Sequence, residues 1–172
     1  QPIGKKSQTL EQKVRDKERA PGFAPGAKIT ITDTKGKTKR ADAAQRKNLA
    51  AVLQVAESMD APKKVKVALV AACVVESLAR NPKGGDRDSV GILQQRNMRP
   101  WNRRNRRDVA AAAATFIEEA LKAYNKKPSR PAGELAQVVQ ASAHPTRYTK
   151  VEKEAARTVE AFEGGSAEKV TR

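Results

Sequence analysis

Glu76 closes an almost unbroken apolar run, Val65-Lys66-Val67-Ala68-Leu69-Val70-Ala71-Ala72-Cys73-Val74-Val75. A polar, glycine-hinged segment follows, Gly85-Asp86-Arg87-Asp88-Ser89-Val90-Gly91-Ile92-Leu93-Gln94-Gln95-Arg96. Desolvation disfavours the charged form of a carboxyl group. A Glu delivered by a buried helix into such a loop is therefore expected to hold a proton near neutral pH and to donate it. That is what a glycosidase acid needs, because glycoside cleavage requires a proton on the leaving oxygen. Glu76 is the candidate acid; the competing reading is a solvated Glu at a helix end. A second carboxylate would have to come from Asp86 or Asp88. Retaining enzymes hold their pair about 5–5.5 Å apart and inverting ones about 6.5–9.5 Å. Asp88 equally suits a backbone-capping turn with Ser89, and Asp86 suits orienting Arg87 or the loop.

Neighbouring polar side chains fill out the site. The Gln94 amide suits a sugar because it donates and accepts at once. Ser77 and Ser89 are weaker candidates for substrate contacts. Gly91 lets the backbone pass close to sugar or helix, where a side chain would clash. Gln95 alternates to the other face of an extended segment. The loop Arg96-Asn97-Met98-Arg99-Pro100-Trp101-Asn102-Arg103-Arg104-Asn105-Arg106-Arg107 admits three readings. It is a phosphate-and-stacking site for nucleic acid; or a cell-wall site with Trp101 as a sugar platform; or a solvated basic loop with Trp101 plugging the core.

Glu76-Ser77, then Asn81, then Ser89-x-Gly91-Ile92-Leu93-Gln94 resembles the Glu-Ser … Ser-x-Gly-Leu-Met-Gln pattern of lytic transglycosylases and goose-type lysozymes. The chain is more closely similar to peptidoglycan-hydrolase domains of tail proteins from actinobacterial phages. There a Gly-Asp-Arg-Asp-Ser-x-Gly-x-x-Gln-Gln-Arg run precedes a Trp, an alanine-rich helix and a Val-Gln-x-Ser-x-x-Pro-x-x-Tyr segment. This sequence supplies Trp101, Ala110 to Ala114, and Val139-Gln140-Ala141-Ser142-Ala143-His144-Pro145-Thr146-Arg147-Tyr148 in that order. The match spans roughly residues 62 to 148, and ordered multi-part motifs are hard to meet by chance.

The resemblance implies a mainly α, lysozyme-like α+β fold and cleavage of the MurNAc-GlcNAc β-1,4 bond of peptidoglycan glycan strands. It further implies no cofactor, a place in the virion tail or at the cell wall, and other tail proteins as partners. In such families a lone Glu first gives and then takes a proton, while the muramic 6-hydroxyl attacks to leave a 1,6-anhydro end. Gln94 matches the cleft glutamine, Gln140 and Tyr148 match the cleft wall, and Tyr148 becomes a candidate transition-state stabiliser. Leu93 stands where Met is usual. The family's Ala-Tyr-Asn triplet occurs as Ala123-Tyr124-Asn125, but at a helix end, and is read as coincidence. Two alternatives remain: a non-catalytic structural tail protein that binds wall or partners, and a nucleic-acid-binding protein.

The chain has 172 residues, 38% of them hydrophobic and only 3% aromatic. Its core must be built from Ala, Val and Leu, which favours close-packed helices over a sandwich. The net charge of +16 attracts polyanions without saying which, and no nucleic-acid-binding motif is present. One Cys and one His leave no metal cluster of the usual kinds. Cys73, inside the apolar run, reads as a small buried hydrophobe. That run is far short of the ~20 residues needed to cross a bilayer. The N-terminus has no apolar stretch of the signal-peptide kind, and because it begins with Gln1 the chain is expected to be a processed product or an excised segment.

Residues 1–40 are basic and rich in Pro and Gly, and read as a linker or docking arm with little core of its own. Leu10 and Val14 could share a face of a short helix across Gln8 to Arg19, and Lys28 to Thr32 could start a small hairpin through Asp33-Thr34-Lys35-Gly36. Residues 41–163 form the expected catalytic domain, and 164–172 a tail. Leu49, Val52, Leu53, Ala56 and Met59 recur at helical spacing before Asp60-Ala61-Pro62 stops the helix. Lys63 to Arg80 is the expected central helix, apolar all round, followed by a small extended element over Asp88 to Gln95. Asp108 is the expected N-cap of an alanine-rich helix to Tyr124, with Phe116, Ile117 and Leu121 inward. Further helices are predicted from Glu134 to Ala143 and, through a Thr149/Glu152 capping box, to Phe162, with Gly164-Gly165 as the stop.

Overall fold

Ten consecutive residues of one helix, Val65 to Val74, are buried, and the rest of the chain is arranged around them. The computed structural model describes residues 22–170, with side chains through residue 162; the helix expected across Gln8 to Arg19 lies outside them. Two short strands, β1 (Thr30–Thr32) and β2 (Thr38–Arg40), precede helices α1 (Ala43–Ser58) and α2 (Lys63–Ser77). A single 3₁₀ turn (Trp101–Arg103) leads to α3 (Val109–Lys126), α4 (Ala132–Gln140), α5 (Thr146–Lys150) and α6 (Glu152–Val170). Helix α2 touches every other helix, which is why it can be apolar on all sides.

Local chemistry sets most boundaries. Asp42 and Gln45 form a reciprocal capping box at the start of α1. Asp108 accepts the Ala111 N–H at 2.8 Å and opens α3 as its side chain predicts. Leu49, Val52, Leu53 and Ala56 are buried from α1, and Phe116, Ile117 and Ala120 from α3. Each fully buried Leu, Ile or Phe contributes on the order of 2 kcal/mol.

The hairpin that Lys28 to Thr32 could start is formed, with Thr30 opposite Arg40, Ile31 opposite Lys39 and Thr32 opposite Thr38. Other expectations are corrected. After α2 there is only the bridge between Val90 and Gln95, because the backbone turns back at Gly91 and Gln94, both at positive φ. Residues 22–40 are not a detached arm, since alternation in β1 sends Ile29 and Ile31 into the core and leaves Thr30 and Thr32 to bond Glu154 of α6. Phe23 meets Phe162 edge-on at 5.7 Å, which closes this segment onto α6. Finally, Glu152 does not cap its own helix; its Oε1 accepts the Gly133 N–H at 2.6 Å, at the first turn of α4. Helix α6 continues through Gly164-Gly165.

The end of α2 is unusual. Leu78 and Ala79 both adopt left-handed conformations, φ +55° and +58°, although neither is glycine. Donors hold them there: Gln45 Nε2 bonds the Leu78 carbonyl at 3.0 Å and Asn48 Nδ2 the Ala79 carbonyl at 2.9 Å. The Ala79 N–H returns to the Cys73 carbonyl at 3.0 Å. Leu78 is 37% exposed, so most of its surface is covered by the protein. A left-handed non-glycine residue costs roughly 1–2 kcal/mol.

Candidate active site

Glu76 occupies the last turn of α2, half-buried where the helix leaves the core. Its Oε2 accepts the Tyr148 hydroxyl at 2.5 Å and the Gln140 Nε2 at 3.1 Å. The same Gln140 amide donates to the Leu93 carbonyl at 3.0 Å. Residues from α4 and α5 thus meet at one carboxyl oxygen of α2, and Gln140 ties in the 81–95 loop through the Leu93 carbonyl. No described residue donates to Oε1. Two donors on one oxygen fix the plane of the carboxyl group and leave the other oxygen as the one that can give a proton.

Tyr148 is completely buried. Burial foremost, then the Glu76 charge, pushes its hydroxyl well above the ordinary range, so it stays a neutral donor. With its ring enclosed, Tyr148 acts on Glu76 and does not line an open cleft wall. Its position depends on the close approach of α4 and α5. A Cβ on Gly133 would lie 2.7 Å from the Thr149 Cα, so glycine alone lets these helices meet this closely. Burial and then the Glu76 charge also raise the Cys73 thiol far above its usual range, which makes it inert.

The loop after α2 is tied to the helix end at several points. The Ser77 hydroxyl lies 2.7 Å from the Ile92 carbonyl and 2.8 Å from the Arg80 carbonyl, so it staples the loop to α2. Asn81 accepts the Ile92 N–H at 3.1 Å and donates to the Arg107 carbonyl at 2.7 Å. Gly91, at φ +84°, passes so near the Arg106 backbone that an added Cβ would lie 2.2 Å from its carbonyl oxygen; the close approach expected there is to this loop. Gln94 donates to the carbonyls of Gly91 and Gly84, and Ser89 is buried beneath the loop. Gln95 turns into the core, where its amide bonds the Ala112 carbonyl at 3.0 Å. Of the sequence-derived site residues, the structure therefore brings Gln140 and Tyr148 onto Glu76, and uses Ser77 and Gln94 to hold the loop.

The aspartates do not join this cluster. Asp88 pairs with Arg96, whose guanidinium holds the carboxyl below the usual range. Asp86 is exposed, and its carbonyl accepts the Ser89 N–H. Neither shares a hydrogen bond with Glu76 or its partners. The arginine-rich loop is likewise engaged internally. Arg104 binds Glu118 through two nitrogens, Arg103 spans Glu118 and Glu119, and Arg106 bonds the carbonyls of Asp88 and Gln95. Trp101 is half-buried and borders a concavity of about 390 Å³ with Ala123, Val138 and Val139. Tyr124 of the Ala-Tyr-Asn triplet is not among the described hydrogen-bond partners of Glu76.

A larger concavity, about 720 Å³, lies between the hairpin turn Thr32–Gly36 and residues 143–151, with Val74 and Val75 on its floor. Val75 and Arg147 in its lining are the chain neighbours of Glu76 and Tyr148, which do not line it themselves. Sequence reasoning missed this groove because its two walls are more than a hundred residues apart in the chain. Among the described residues no group of His, Cys, Asp and Glu could hold a metal ion, and no helix is long and apolar enough to cross a membrane. Compared with known proteins, the sequence matches no family model and no curated protein.

The Arg104–Glu118 pair makes one pH-dependent prediction. Arg104, with Arg103 second, lowers the Glu118 carboxyl from 4.5 to about 2. A depressed folded value means stability that is complete above 4.5 and is lost as pH falls from there toward about 2. Thermal melts should show wild type more stable than Glu118→Gln near neutrality, with the gap closing across that acid window. The gap should be modest, because the pair is partly solvated.

Proposed function

We propose that this chain is a peptidoglycan-cleaving glycosidase that acts on the MurNAc-GlcNAc β-1,4 bond. Glu76 is the acid and base, and the protein works as a wall hydrolase of a phage tail or at the cell wall. The observation that carries the reading is the tethering of one Glu76 oxygen by Tyr148 and Gln140, with no donor to the second oxygen among the described residues. A carboxyl held this way suits proton transfer to a glycosidic oxygen. The separate engagement of Asp88 with Arg96 favours the single-carboxylate route. On that route Glu76 Oε1 protonates the leaving GlcNAc oxygen as the MurNAc C1–O bond breaks. The carboxylate then takes the proton of the muramic 6-hydroxyl as that oxygen closes onto C1. The products are a 1,6-anhydro end and a free GlcNAc hydroxyl.

Tyr148 serves as a positioning residue, holding the acid without reaching the sugar. The supporting sequence likeness runs through Glu76-Ser77, Gly91 to Gln94 and the Val139 to Tyr148 segment, which is also where the hydrogen bonds converge.

Clearing of purified cell walls is the test. Glu76→Gln is expected to lower the rate by about 10²–10⁴-fold, the usual worth of a general acid. Mass spectrometry of the released fragments should find anhydro ends; reducing ends would mean that water attacks. If wild type and Glu76→Gln bind walls equally and neither clears them, the chain is a structural wall-binding protein instead. Tyr148→Phe should lower kcat by about 10–100-fold, the worth of one hydrogen bond to a charged group, and leave KM unchanged. A rise in KM with kcat intact would show that the hydroxyl contacts substrate.

A further inference from the structure

The basic surface divides into two kinds of charge. The arginines of residues 96–107 are largely turned inward: Arg96 on Asp88, Arg103 and Arg104 on Glu118, and Arg106 on carbonyls. The groove between the hairpin turn and residues 143–151 differs. Lys35, Arg147 and Lys150 line it, and none of the three is ion-paired among the described residues. The one carboxylate in its lining, Asp33, is folded into its own turn, where Oδ1 accepts the N–H groups of Lys35 and Lys37 at 2.9 Å each. The floor, Val74 and Val75, is apolar.

One wall of the groove is a rigid strap. Glu154, itself buried, accepts the Thr32 N–H at 2.8 Å and the hydroxyls of Thr30 and Thr32 at 3.0 and 2.8 Å. These bonds fix the hairpin, and with it Lys35, over the end of α2. The opposite wall carries Arg147, whose neighbour Tyr148 bonds Glu76. At about 720 Å³ the space falls within the range of roughly 300–1,000 Å³ typical of small-ligand sites. Three cations over an apolar floor suit a short chain with carboxylates at intervals and aliphatic side chains between them. Duplex nucleic acid would use a broad basic face and would gain nothing from a recessed apolar floor.

We infer that this groove is a subsite for the carboxylates of the peptide carried on the muramic sugar, with Lys35, Arg147 and Lys150 as its recognition groups. The inference rests on the proposed reading of Glu76. The cleaved bond starts at the anomeric carbon of the peptide-bearing sugar, so its peptide must lie within a sugar's width of the acid. The groove carries cations unpaired among the described residues, and its lining includes Val75 and Arg147, the chain neighbours of Glu76 and of the Tyr148 that bonds it.

Titration calorimetry with the full chain tests this. The probes are a soluble disaccharide-tripeptide with free carboxylates, the same fragment with its carboxyls amidated, polyglycerol phosphate, and duplex DNA. A Glu76→Gln background removes turnover from the readout. Lys35→Glu with Lys150→Glu should weaken the free-acid fragment at least tenfold, and amidation should do the same to the unreversed protein. Lys47→Glu, an exposed charge outside the groove, controls for net charge. On walls, the ratio of the rate on peptide-bearing glycan to that on amidase-stripped glycan should fall at least tenfold in the reversed variant. Affinities within twofold across amidation and charge reversal would overturn the subsite. So would tighter binding of polyglycerol phosphate or DNA that is lost on reversal, which would make the groove a phosphate site. If wild type clears no walls yet the fragment binds as expected, the acid assignment fails and the groove stands. Clearing without carboxylate-dependent binding means the reverse.

Discussion

A carboxyl group can be aimed only if the helix that carries it ends at a fixed point, and here that point is the last turn of α2. The helix is anchored along ten buried residues, and its exit is clamped by side chains of α1 on two consecutive left-handed carbonyls. Beyond the clamp, Ser77 and Asn81 tie the following loop back to the same place. The Glu76 oxygen then meets Tyr148 and Gln140, which reach it from α5 and α4. Loosening any of these would shift the carboxyl group without changing the residues that bond it.

The net charge of +16 conceals an uneven division of labour. In the arginine-rich loop guanidiniums are structural cross-links: Arg104 and Arg103 share Glu118, and Arg106 bonds the backbone carbonyls of Asp88 and Gln95. Planar, forked donors suit that task, whereas the flexible lysines sit where a ligand could pair with them. Only the three-dimensional pairing separates committed charge from available charge.

What could be read beforehand follows the range of the physics. Helix periodicity and the Asp108 cap are local, so α1, α2 and α3 were placed within a few residues. Glu76, Gln140 and Tyr148 were named as one site because the ordered motif carries spatial information that periodicity lacks. Roles were harder. Ser77 and Gln94 have the chemistry of sugar ligands, yet their nearest partners are backbone carbonyls, which no sequence pattern distinguishes from hydroxyls of a substrate. The hairpin was misjudged as part of an arm because Ile29 and Ile31 look isolated among polar neighbours. Their partners, and Glu154, come from the other end of the chain.

That long-range contact also bears on how the molecule is made. Thr32 and Glu154 are separated by 122 residues, so the strap over α2 waits for α6 to be synthesised. A nascent chain emerging from a ribosome can assemble most of its helices early, through near-neighbour contacts, and still lack a finished groove. The order of the hairpin is thus set by the docking of α6, a step later than the local pairing of the helices it covers.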